Sequence, residues 1–374
     1  MDRSTKKIYF YEHSYLRDRQ IATIKEWDKN YALNQDFVKN KKGEQVSREK
    51  STLKTSKLTW KQKLPLLNIK RRPRNAPKDS VIYVWGGLIL SGEFIVDLDN
   101  PWSLVGYNLK AMSIYKKLIK RILESKRCIQ INCLSKACRE SLLQIFGDDI
   151  YKKAYVNYPT SGIRLINNIS SSKNESIKLL FIGSQFEIKG GGALLDAYAK
   201  AKKNIKNLEL TIITHLPKEF ESKIKELNDI KLFSPVFNRA EIFELMRKND
   251  ILLHPSYMES FGMTILEAIA NGMAIISNDI YAISEMVINN KNGILLKPPI
   301  TKWDGFLPNK NFMQKKEFIL QIRDLNQEKY SSLVSNAILN IGNDRELMLN
   351  MKKESIKIYK KIYEYNKNIR LNEF

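Results

Sequence analysis

The chain has 374 residues, of which 43% are hydrophobic and 10% aromatic, and this composition excludes a disordered polypeptide and allows two domains. Its formal net charge is +23, and residues 1–78 hold 21 Lys and Arg against 8 Asp and Glu. No apolar run approaches the roughly 18 residues that a membrane-spanning helix needs. No signal-peptide pattern precedes the strand-like residues 7–11, so we expect a cytoplasmic protein.

The basic excess near the N-terminus has three interpretations. A solvated basic face is one. Attraction to an anionic acceptor or to anionic lipid is another, at about 1 kcal/mol per basic residue near a membrane surface. Nucleic-acid binding is disfavoured, because no helix-turn-helix, zinc finger or aromatic RNA-binding motif accompanies the densest cluster, residues 70–74. We therefore expect no nucleic-acid partner and keep the first two interpretations open.

The predicted elements of the first half are strands and helices separated by one long basic segment. The strands are residues 7–11, 81–85, 94–98 and 129–134, and the helices are residues 16–27, 109–125 and 136–146. Residues 35–78 are poorly patterned and predict a mobile loop. Residues 158–174 predict the connection between two domains.

Three cysteines, Cys128, Cys133 and Cys138, fall in this half at intervals of five. An odd number argues against a disulfide framework, and the spacing fits no common zinc pattern. We therefore expect small buried thiols in a reducing compartment.

The second half alternates strands with helices. The predicted strands are residues 177–182, 208–214, 230–233, 251–253 and 274–277, and the helices are residues 193–203, 218–227, 239–248, 264–270 and several in 313–374, the last at 346–366. Such alternation predicts a parallel, doubly wound sheet, which binds ligands at the carboxyl ends of its strands. The loops that carry Gly183, Lys189 and Glu259 should therefore meet at one edge.

Two glutamates eight positions apart, Glu259 and Glu267, stand in a strand, loop and helix segment. The loop carries Gly262, and Asn271-Gly272 ends the helix. The start of the helix presents backbone N–H groups to the loop. One carboxylate before the turn and one in the first helical turns suit a ligand with an anionic end and a hydroxyl-rich end, such as a nucleotide sugar.

Eight short segments follow one another in residues 177–297: Leu180-Phe-Ile-Gly183, Lys189-Gly190, Pro255-Ser256, Glu259-Ser-Phe-Gly262, Leu266-Glu267-Ala268, Asn271-Gly272, Glu285-Met-Val287 and Asn292-Gly-Ile-Leu295. Through these segments, residues 177–297 resemble the donor-binding domain of family 4 glycosyltransferases. The resemblance implies an α/β protein of the GT-B fold, with two Rossmann-like doubly wound domains facing a central cleft. It places an acceptor-binding domain at residues 1–160, a nucleotide-sugar donor domain at 161–345, and a final helix at 346–374 packing back on the first domain.

The resemblance implies roles for three charged residues. Glu259 contacts the donor sugar near the anomeric carbon, where a carboxylate orients hydroxyls and stabilises oxocarbenium charge. Glu267 accepts hydrogen bonds from the ribose hydroxyls, and Lys189 neutralises the diphosphate. The structural alternatives are a carboxylate stabilised by the helix dipole for Glu259 and a capping or surface carboxylate for Glu267.

Five further residues complete the implied donor site. Phe261, Gly262 and Met263 supply backbone amides to the sugar and the diphosphate, and Gly183 ends the strand beside them. Glu285 lies near the edge of the pocket, or is a helix-start carboxylate.

Ser184 is a departure from the family pattern, because most relatives have an arginine there as a second cation for the diphosphate. A serine donates a hydrogen bond but brings no charge. Arg239 and Lys297 are the candidates to replace it.

Asp99 follows a predicted strand near the position where many relatives have a histidine that faces the reacting sugar. It is a candidate to bind or deprotonate the acceptor hydroxyl, and the alternative is an Asx-type turn before proline. Asp97-Leu-Asp99 also has the spacing of a metal-binding pair. The resemblance argues against that use, so we expect no metal and no cofactor.

Together these features predict a retaining, metal-independent glycosyltransferase. It would move a hexose-type sugar from a nucleotide sugar to a glycan or lipid-linked hydroxyl acceptor in bacterial surface polysaccharide or glycolipid biosynthesis. It would be cytoplasmic or peripheral on the inner face of the cell membrane. The alternatives are a nucleotide-sugar epimerase, a phosphorylase, or an inactive membrane-associated sugar-nucleotide binding protein.

Overall fold

The computed structural model describes residues 6–13, 16–27, 29–36, 64–159, 162, 166, 176–309 and 315–372. The chain divides into two compact units. The first comprises Met1–Gly162 and Tyr365–Phe374, and the second comprises Ile163–Glu364. The predicted mobile loop at 35–78 and the predicted connection at 158–174 lie largely outside the described residues.

A five-stranded parallel sheet forms the centre of the first unit, with strand order β1-β3-β5-β6-β7. The strands in chain order are β1 (Ile8–Phe10), β2 (Ile69–Lys70), β3 (Val81–Trp85), β4 (Leu88–Ile89), β5 (Phe94–Leu98), β6 (Cys128–Cys133) and β7 (Ala154–Val156), with β2 paired to β4 outside the main sheet. The helices are α1 (Asp18–Glu26), the 3-10 helix Pro101–Val105, α2 (Leu109–Glu124), α3 (Lys136–Phe146) and α4 (Asp148–Lys152).

The strands predicted at 81–85 and 94–98 are confirmed as β3 and β5. Every residue of both strands is buried, as a parallel sheet covered on both faces requires. The three cysteines are buried free thiols, as predicted.

A six-stranded parallel sheet forms the centre of the second unit, with strand order β10-β9-β8-β11-β12-β13. The strands are β8 (Ile177–Ile182), β9 (Leu208–Ile213), β10 (Ile230–Phe233), β11 (Ile251–His254), β12 (Ala274–Asn278), β13 (Gly293–Leu296) and the hairpin β14 (Trp303–Asp304) with β15 (Leu307–Pro308). The helices are α5 (Gly191–Lys202), the 3-10 helix Lys218–Phe220, α6 (Glu221–Glu226), α7 (Arg239–Lys248), α8 (Met263–Ala270), the 3-10 helix Ile283–Glu285, α9 (Lys315–Asp324), α10 (Glu328–Asn343) and α11 (Arg345–Asn372).

The helix predicted at residues 218–227 is confirmed over residues 218–226. Its first turn is the 3-10 helix Lys218–Phe220, which continues directly into α6. Phe220, Ile224 and Leu227 are partly buried and pack the segment against the core.

β8 and β11 are neighbours in the second sheet, where Leu179 pairs with Ile251. Parallel neighbours end at the same edge, so the loops that follow both strands lie together. This register places the segment after Gly183 beside the segment after His254.

The helix α11 is anchored within each unit by buried polar contacts. In the second unit Lys352 Nζ lies 2.8 Å from Asp250 Oδ1, and Ser355 Oγ donates to Met273 O at 2.6 Å. In the first unit the Asn366 side chain accepts from Tyr158 N and donates to Tyr158 O. No helix within the described part of the chain combines the length and the apolar character needed to cross a membrane.

Candidate functional site

The loop between β11 and α8 carries Glu259 and is shaped by Gly262. Gly262 has a φ of +93°, and a Cβ atom there would lie 2.8 Å from Ile283 Cδ1. For both reasons, a residue with a side chain could occupy this position only with strain. Gly262 O accepts from Ile265 N at 2.9 Å, which closes the first turn of α8 directly behind the loop.

Glu259 is held by two basic side chains. Its Oε1 lies 2.8 Å from His254 Nε2 and contacts Lys189 Nζ, and its side chain is only 14% exposed. Burial raises the pKa of Glu259, but the Lys189 ammonium and the His254 hydrogen bond outweigh it and lower the pKa to about 2. The carboxylate is therefore ionised throughout the neutral pH range.

His254 supports Glu259 from the last position of β11. It is 1% exposed, and burial lowers its pKa, against the opposing effect of Glu259. A neutral imidazole beside an ionised carboxylate must donate, so Nε2 carries the proton. The sequence pattern predicts no role for His254. The one sequence feature that could have indicated such a role is that a polar residue ends an otherwise apolar strand.

Lys189 reaches Glu259 because its loop packs closely on residues around Pro255. Gly190 has a φ of +79°, and a Cβ atom there would lie 2.2 Å from Pro255 O. A Cβ atom on Gly183 would lie 2.8 Å from Lys189 Cγ, so Gly183 leaves space for the lysine stem. The structure thus brings together the Gly183, Lys189 and Glu259 loops that were predicted to meet.

Glu267 lies in the second turn of α8 and is paired with a cation from a neighbouring helix. Arg239 Nη2 lies 3.1 Å from Glu267 Oε1, with the two side chains 25% and 18% exposed. Glu267 is therefore neither a helix cap nor a solvated surface carboxylate. Arg239 is one of the two cations considered as replacements for the missing arginine.

The other predicted donor-site residues differ in exposure. Phe261 and Gly262 are buried, Met263 is half-buried and Ser184 is exposed at the end of β8. Glu285 is half-buried and lies in the three-residue 3-10 helix Ile283–Glu285.

Trp303 also supports the Glu259 loop, and the sequence pattern does not predict it. Its Nε1 donates to Glu259 O at 2.5 Å. Its ring stacks on Tyr281, with centroids 3.9 Å apart and an interplanar angle of 16°. The hairpin β14–β15 thereby fixes the backbone that carries the glutamate.

In the first unit, Asp99 is half-buried and accepts from Tyr107 OH, at 3.0 Å to each carboxylate oxygen. The Asx-type turn before the proline belongs to the next residue, because Asn100 Oδ1 accepts from Trp102 N at 3.1 Å. The prediction that Asp99 forms this turn is therefore wrong, because Asn100 forms it.

Asp97 is occupied by other partners and does not form a pair with Asp99. Its two oxygens accept from Arg19 Nη1 at 2.9 Å and from Tyr83 OH at 3.0 Å. Among the described residues there is no group of three His, Cys, Asp or Glu side chains arranged to hold a metal ion.

Comparison with known proteins agrees with this architecture. Residues 163–307 match the family model for glycosyl transferases group 1. An uncharacterized glycosyltransferase of Methanocaldococcus jannaschii is 27% identical over 200 residues, 50% of each chain. The lipopolysaccharide glucosyltransferase WaaG of Escherichia coli is 27% identical over 135 residues, 35% of each chain. The chain thus matches half or less of the length of these curated relatives.

A solved structure extends the likeness to the whole chain. Anabaena Alr3699/HepE in complex with UDP-glucose superposes with a TM-score of 0.59 at 15% identity, covering 97% of this chain and 98% of that chain. At this identity the likeness is one of fold, and it confirms the predicted α/β fold class. Residues 163–307 are thus similar to the glycosyl transferases group 1 family, and the fold of the chain is GT-B.

Proposed function

We propose that this protein is a retaining, metal-independent glycosyltransferase that moves a hexose-type sugar from a nucleotide sugar to a hydroxyl acceptor. One observation carries the proposal. Two carboxylates of the same loop and helix, Glu259 and Glu267, are each paired with a basic side chain, Lys189 and Arg239. Alternating charges of this kind suit a ligand that combines a diphosphate with hydroxyl-rich groups at both ends.

Glu259 is the proposed sugar-side group. Its low pKa keeps it ionised, so it accepts hydrogen bonds from sugar hydroxyls and stabilises positive charge that develops at the anomeric carbon. The hydrogen bonds from His254 Nε2 and from Trp303 Nε1 hold its side chain and backbone in place. Glu267 is the proposed ribose-side group, and Glu285 is the proposed residue at the edge of the same site.

The diphosphate is proposed to lie between these carboxylates. Lys189 and Arg239 supply positive charge, and Ser184 donates a hydrogen bond where relatives have an arginine. The backbone amides of residues 261–263 and the N-terminal end of α8 favour an anion at the same place. These groups replace the divalent metal that other sugar transferases use.

The acceptor is proposed to bind the first unit, with Asp99 binding or deprotonating its hydroxyl. α2 supports a location at an anionic membrane surface. It exposes Ile114, 60% exposed, and Leu118, 45% exposed, and the same helix carries Lys116, Lys117 and Lys120. Apolar side chains flanked by lysines suit the interface of a bilayer with anionic headgroups.

The names of the relatives indicate which substrates to test first. WaaG is named as a lipopolysaccharide glucosyltransferase, and HepE was solved with UDP-glucose. We therefore propose a glycolipid or polysaccharide acceptor at the inner face of the cell membrane, and UDP-glucose as the first donor to test.

The test is transfer of radiolabelled sugar from nucleotide sugars to lipid-linked glycan acceptors, followed by NMR assignment of the product's anomeric configuration. We expect a product that retains the donor configuration and depends on Glu259. An inverted product contradicts the retaining mechanism. Donor binding without any product supports the inactive binding protein instead, an alternative that Ser184 favours because the site has one cation fewer.

A further inference from the structure

Tyr107 is a second functional side chain beside the proposed acceptor-binding carboxylate of the first unit. Its hydroxyl donates to Asp99, at 3.0 Å to each oxygen. Asp99 directly follows β5, the middle strand of the first unit's sheet. Because parallel sheets bind ligands beyond the carboxyl ends of their strands, the pair of Asp99 and Tyr107 lies where a ligand of this unit is expected.

The backbone of Tyr107 has a conformation that side chains disfavour. Its φ is +64°, in the left-handed region that bulky residues rarely adopt. Glycine would adopt the same φ without strain. Strain of this kind is concentrated at binding and catalytic sites, where the surrounding structure fixes the strained residue. A tyrosine at this position is therefore expected where its side chain has a function.

The surrounding structure fixes Tyr107 from both sides. On one side, Gly106 ends the 3-10 helix Pro101–Val105, and Tyr107 N donates to Trp102 O at 2.8 Å. On the other side, Asn108 caps α2, because its Oδ1 accepts from Ala111 N at 3.1 Å. The tyrosine is therefore held between two helical segments, and its ring has a defined place beside Asp99.

The ring of Tyr107 is available to a ligand, because the residue is 53% exposed. A tyrosine that serves packing alone would bury its ring, which is its main contribution to stability. An exposed aromatic ring packs against the apolar face of a sugar ring, and a carboxylate beside it accepts hydrogen bonds from the sugar hydroxyls. Tyr107 and Asp99 together supply both kinds of contact.

A second tyrosine and carboxylate pair in the first unit lacks these features. Tyr151 OH donates to Glu140 Oε1 at 2.9 Å, but Tyr151 lies within the helix α4. One face of its ring is covered by Arg139, whose guanidinium carbon lies 3.8 Å from the ring centroid. The comparison separates a tyrosine with a hydrogen bond in regular structure from a strained tyrosine with an exposed ring.

We propose that Tyr107 binds the acceptor sugar and positions Asp99. Its ring stacks on the apolar face of an acceptor sugar ring, and its hydroxyl holds the Asp99 carboxylate toward the acceptor hydroxyl. The proposal rests on the proposed role of Asp99. It narrows the acceptor to a glycoside, and excludes a hydroxyl compound that has no sugar ring.

The first test is saturation-transfer difference NMR of the full chain without a donor. The probes are methyl β-glucoside, methyl β-galactoside and methyl N-acetyl-β-glucosaminide, with glycerol as the control that has no ring. We expect the strongest transfer to the axial ring protons of at least one glycoside, since these protons form its apolar face, and none to glycerol. Tyr107→Leu should lose this transfer, and Tyr107→Phe should keep it.

The second test separates the ring from the hydroxyl by steady-state kinetics with UDP-glucose and the glycoside that binds. Tyr107→Phe should lower kcat about tenfold by removing a hydrogen bond to a charged group, with the acceptor KM unchanged. Tyr107→Leu should in addition raise the acceptor KM about tenfold by removing the aromatic contact. A merely structural role would not divide kcat and KM in this way.

Two controls separate function from folding. Tyr107→Gly should have a higher Tm than Tyr107→Leu, because glycine adopts the positive φ without strain, and it should still lose the binding of the glycoside. Tyr151→Leu and Tyr151→Phe are the matched variants at the other tyrosine and carboxylate pair. Both should bind the glycoside as the wild type does.

Three results would overturn the proposal. One is that no glycoside receives saturation from the wild-type protein. Another is that transfer to the ring protons persists in Tyr107→Leu, and its loss in Glu259→Gln instead would place the sugar at the Glu259 site. The third is an unchanged kcat in Tyr107→Phe. A wild-type protein that binds a glycoside through Tyr107 but transfers no sugar would contradict the proposed function and support the acceptor-binding role of Tyr107.

Discussion

Two carboxylates, one in each unit, lie near the C-terminal ends of parallel strands but differ in the segment that carries them and in the direction of their pKa shift. Asp97 lies inside β5 of the first unit, is 3% exposed, and is held by Arg19 and Tyr83. Glu259 lies in a loop of the second unit, is 14% exposed, and is held by Lys189 and His254. Both carboxylates are paired with cations, but only the pair of Glu259 and Lys189 lies in loops, whereas Asp97 and Arg19 lie in a strand and a helix.

The difference distinguishes a structural ion pair from a proposed ligand site. Burial raises the pKa of Asp97 despite the opposing effect of Arg19. The pKa of Glu259 is lowered to about 2, because Lys189 and His254 outweigh burial. A carboxylate locked inside a strand ties the sheet to α1, whereas a strongly ionised carboxylate on a shaped loop is suited to meeting a ligand.

The largest expected effect is on the stability of the first unit. Arg19→Leu leaves the buried Asp97 carboxylate without its cation, so we expect a loss of about 3–5 kcal/mol in the free energy of unfolding. Urea denaturation measures it. Lys6→Leu is the control, since its pair with Glu93 is 35% and 37% exposed and should contribute about 0–1 kcal/mol. Equal effects of the two variants would contradict the structural assignment of Asp97.

Glu259→Gln is expected to lower the transfer rate strongly and the stability only a little. It removes the charge that stabilises the transition state, so the transfer rate should fall by about 10²–10³-fold. Its effect on unfolding should be smaller than that of Arg19→Leu. Initial rates with labelled donor measure the first effect, with the exposed Glu244 changed to Gln as the control. A rate close to that of the wild type would remove Glu259 from the proposed chemistry.

The two carboxylates should also respond to pH with opposite signs. The pKa of Glu259 is lowered on folding to about 2, so its stabilising contribution is present above its unfolded pKa of about 4.3 and is lost as pH falls toward 2. The pKa of Asp97 is raised, so its contribution is present below its unfolded pKa of about 3.9 and is lost as pH rises through the folded value.

Unfolding free energies of Glu259→Gln and Asp97→Asn, each compared with the wild type from pH 2 to pH 6, test this contrast. The stability difference for Glu259→Gln should shrink as the solution is acidified. The difference for Asp97→Asn should move in the other direction. The same slope for both variants would show that the two sites do not differ electrostatically as described.

A smaller effect is expected at the second pair of the candidate site. Arg239→Gln should weaken binding of a nucleoside diphosphate about tenfold, or about 1.4 kcal/mol, by removing one charge-assisted contact. The affinity of Arg239→Lys should lie between those of the wild type and Arg239→Gln, because lysine keeps the charge but loses the planar geometry. Calorimetry measures the affinity. The control is Lys248→Gln on the same helix, whose pair with Glu244 is solvent-exposed.

The smallest effect is expected for Trp303→Phe. The variant keeps an aromatic ring against Tyr281 but loses the hydrogen bond to Glu259 O. We expect a loss of about 0.5–1.5 kcal/mol in unfolding free energy and a few-fold lower transfer rate. An unchanged rate together with lower stability would limit Trp303 to a structural role.

Much of the second unit was predictable because its signals are local. β8 is apolar apart from Lys178, and α7 starts at a capping box in which Asn238 and Glu241 bond to each other's backbone. Parallel strand order then implies that Lys189 and Glu259 approach one another. Their contact is therefore a consequence of features that the sequence displays.

The rest of the site depends on tertiary contacts that leave no local pattern. Trp303 lies 44 positions from Glu259 along the chain, and only the folded hairpin brings its Nε1 to that carbonyl. His254 was missed because it continues an apolar strand, where a polar residue has many structural explanations. In the first unit, Asn100 rather than Asp99 makes the turn, a choice between adjacent similar side chains that spacing alone does not decide.

The central claim is that the Glu259 loop and α8 bind a nucleoside diphosphate. The most direct measurement is a thermal-shift titration of the full chain with UDP, GDP, ADP and CDP. We expect one of them to raise Tm selectively, by the equivalent of about 2.7 kcal/mol at a hundredfold excess over Kd, and Lys189→Met to reduce the shift. A folded protein whose Tm is unchanged by all four nucleotides would contradict the claim.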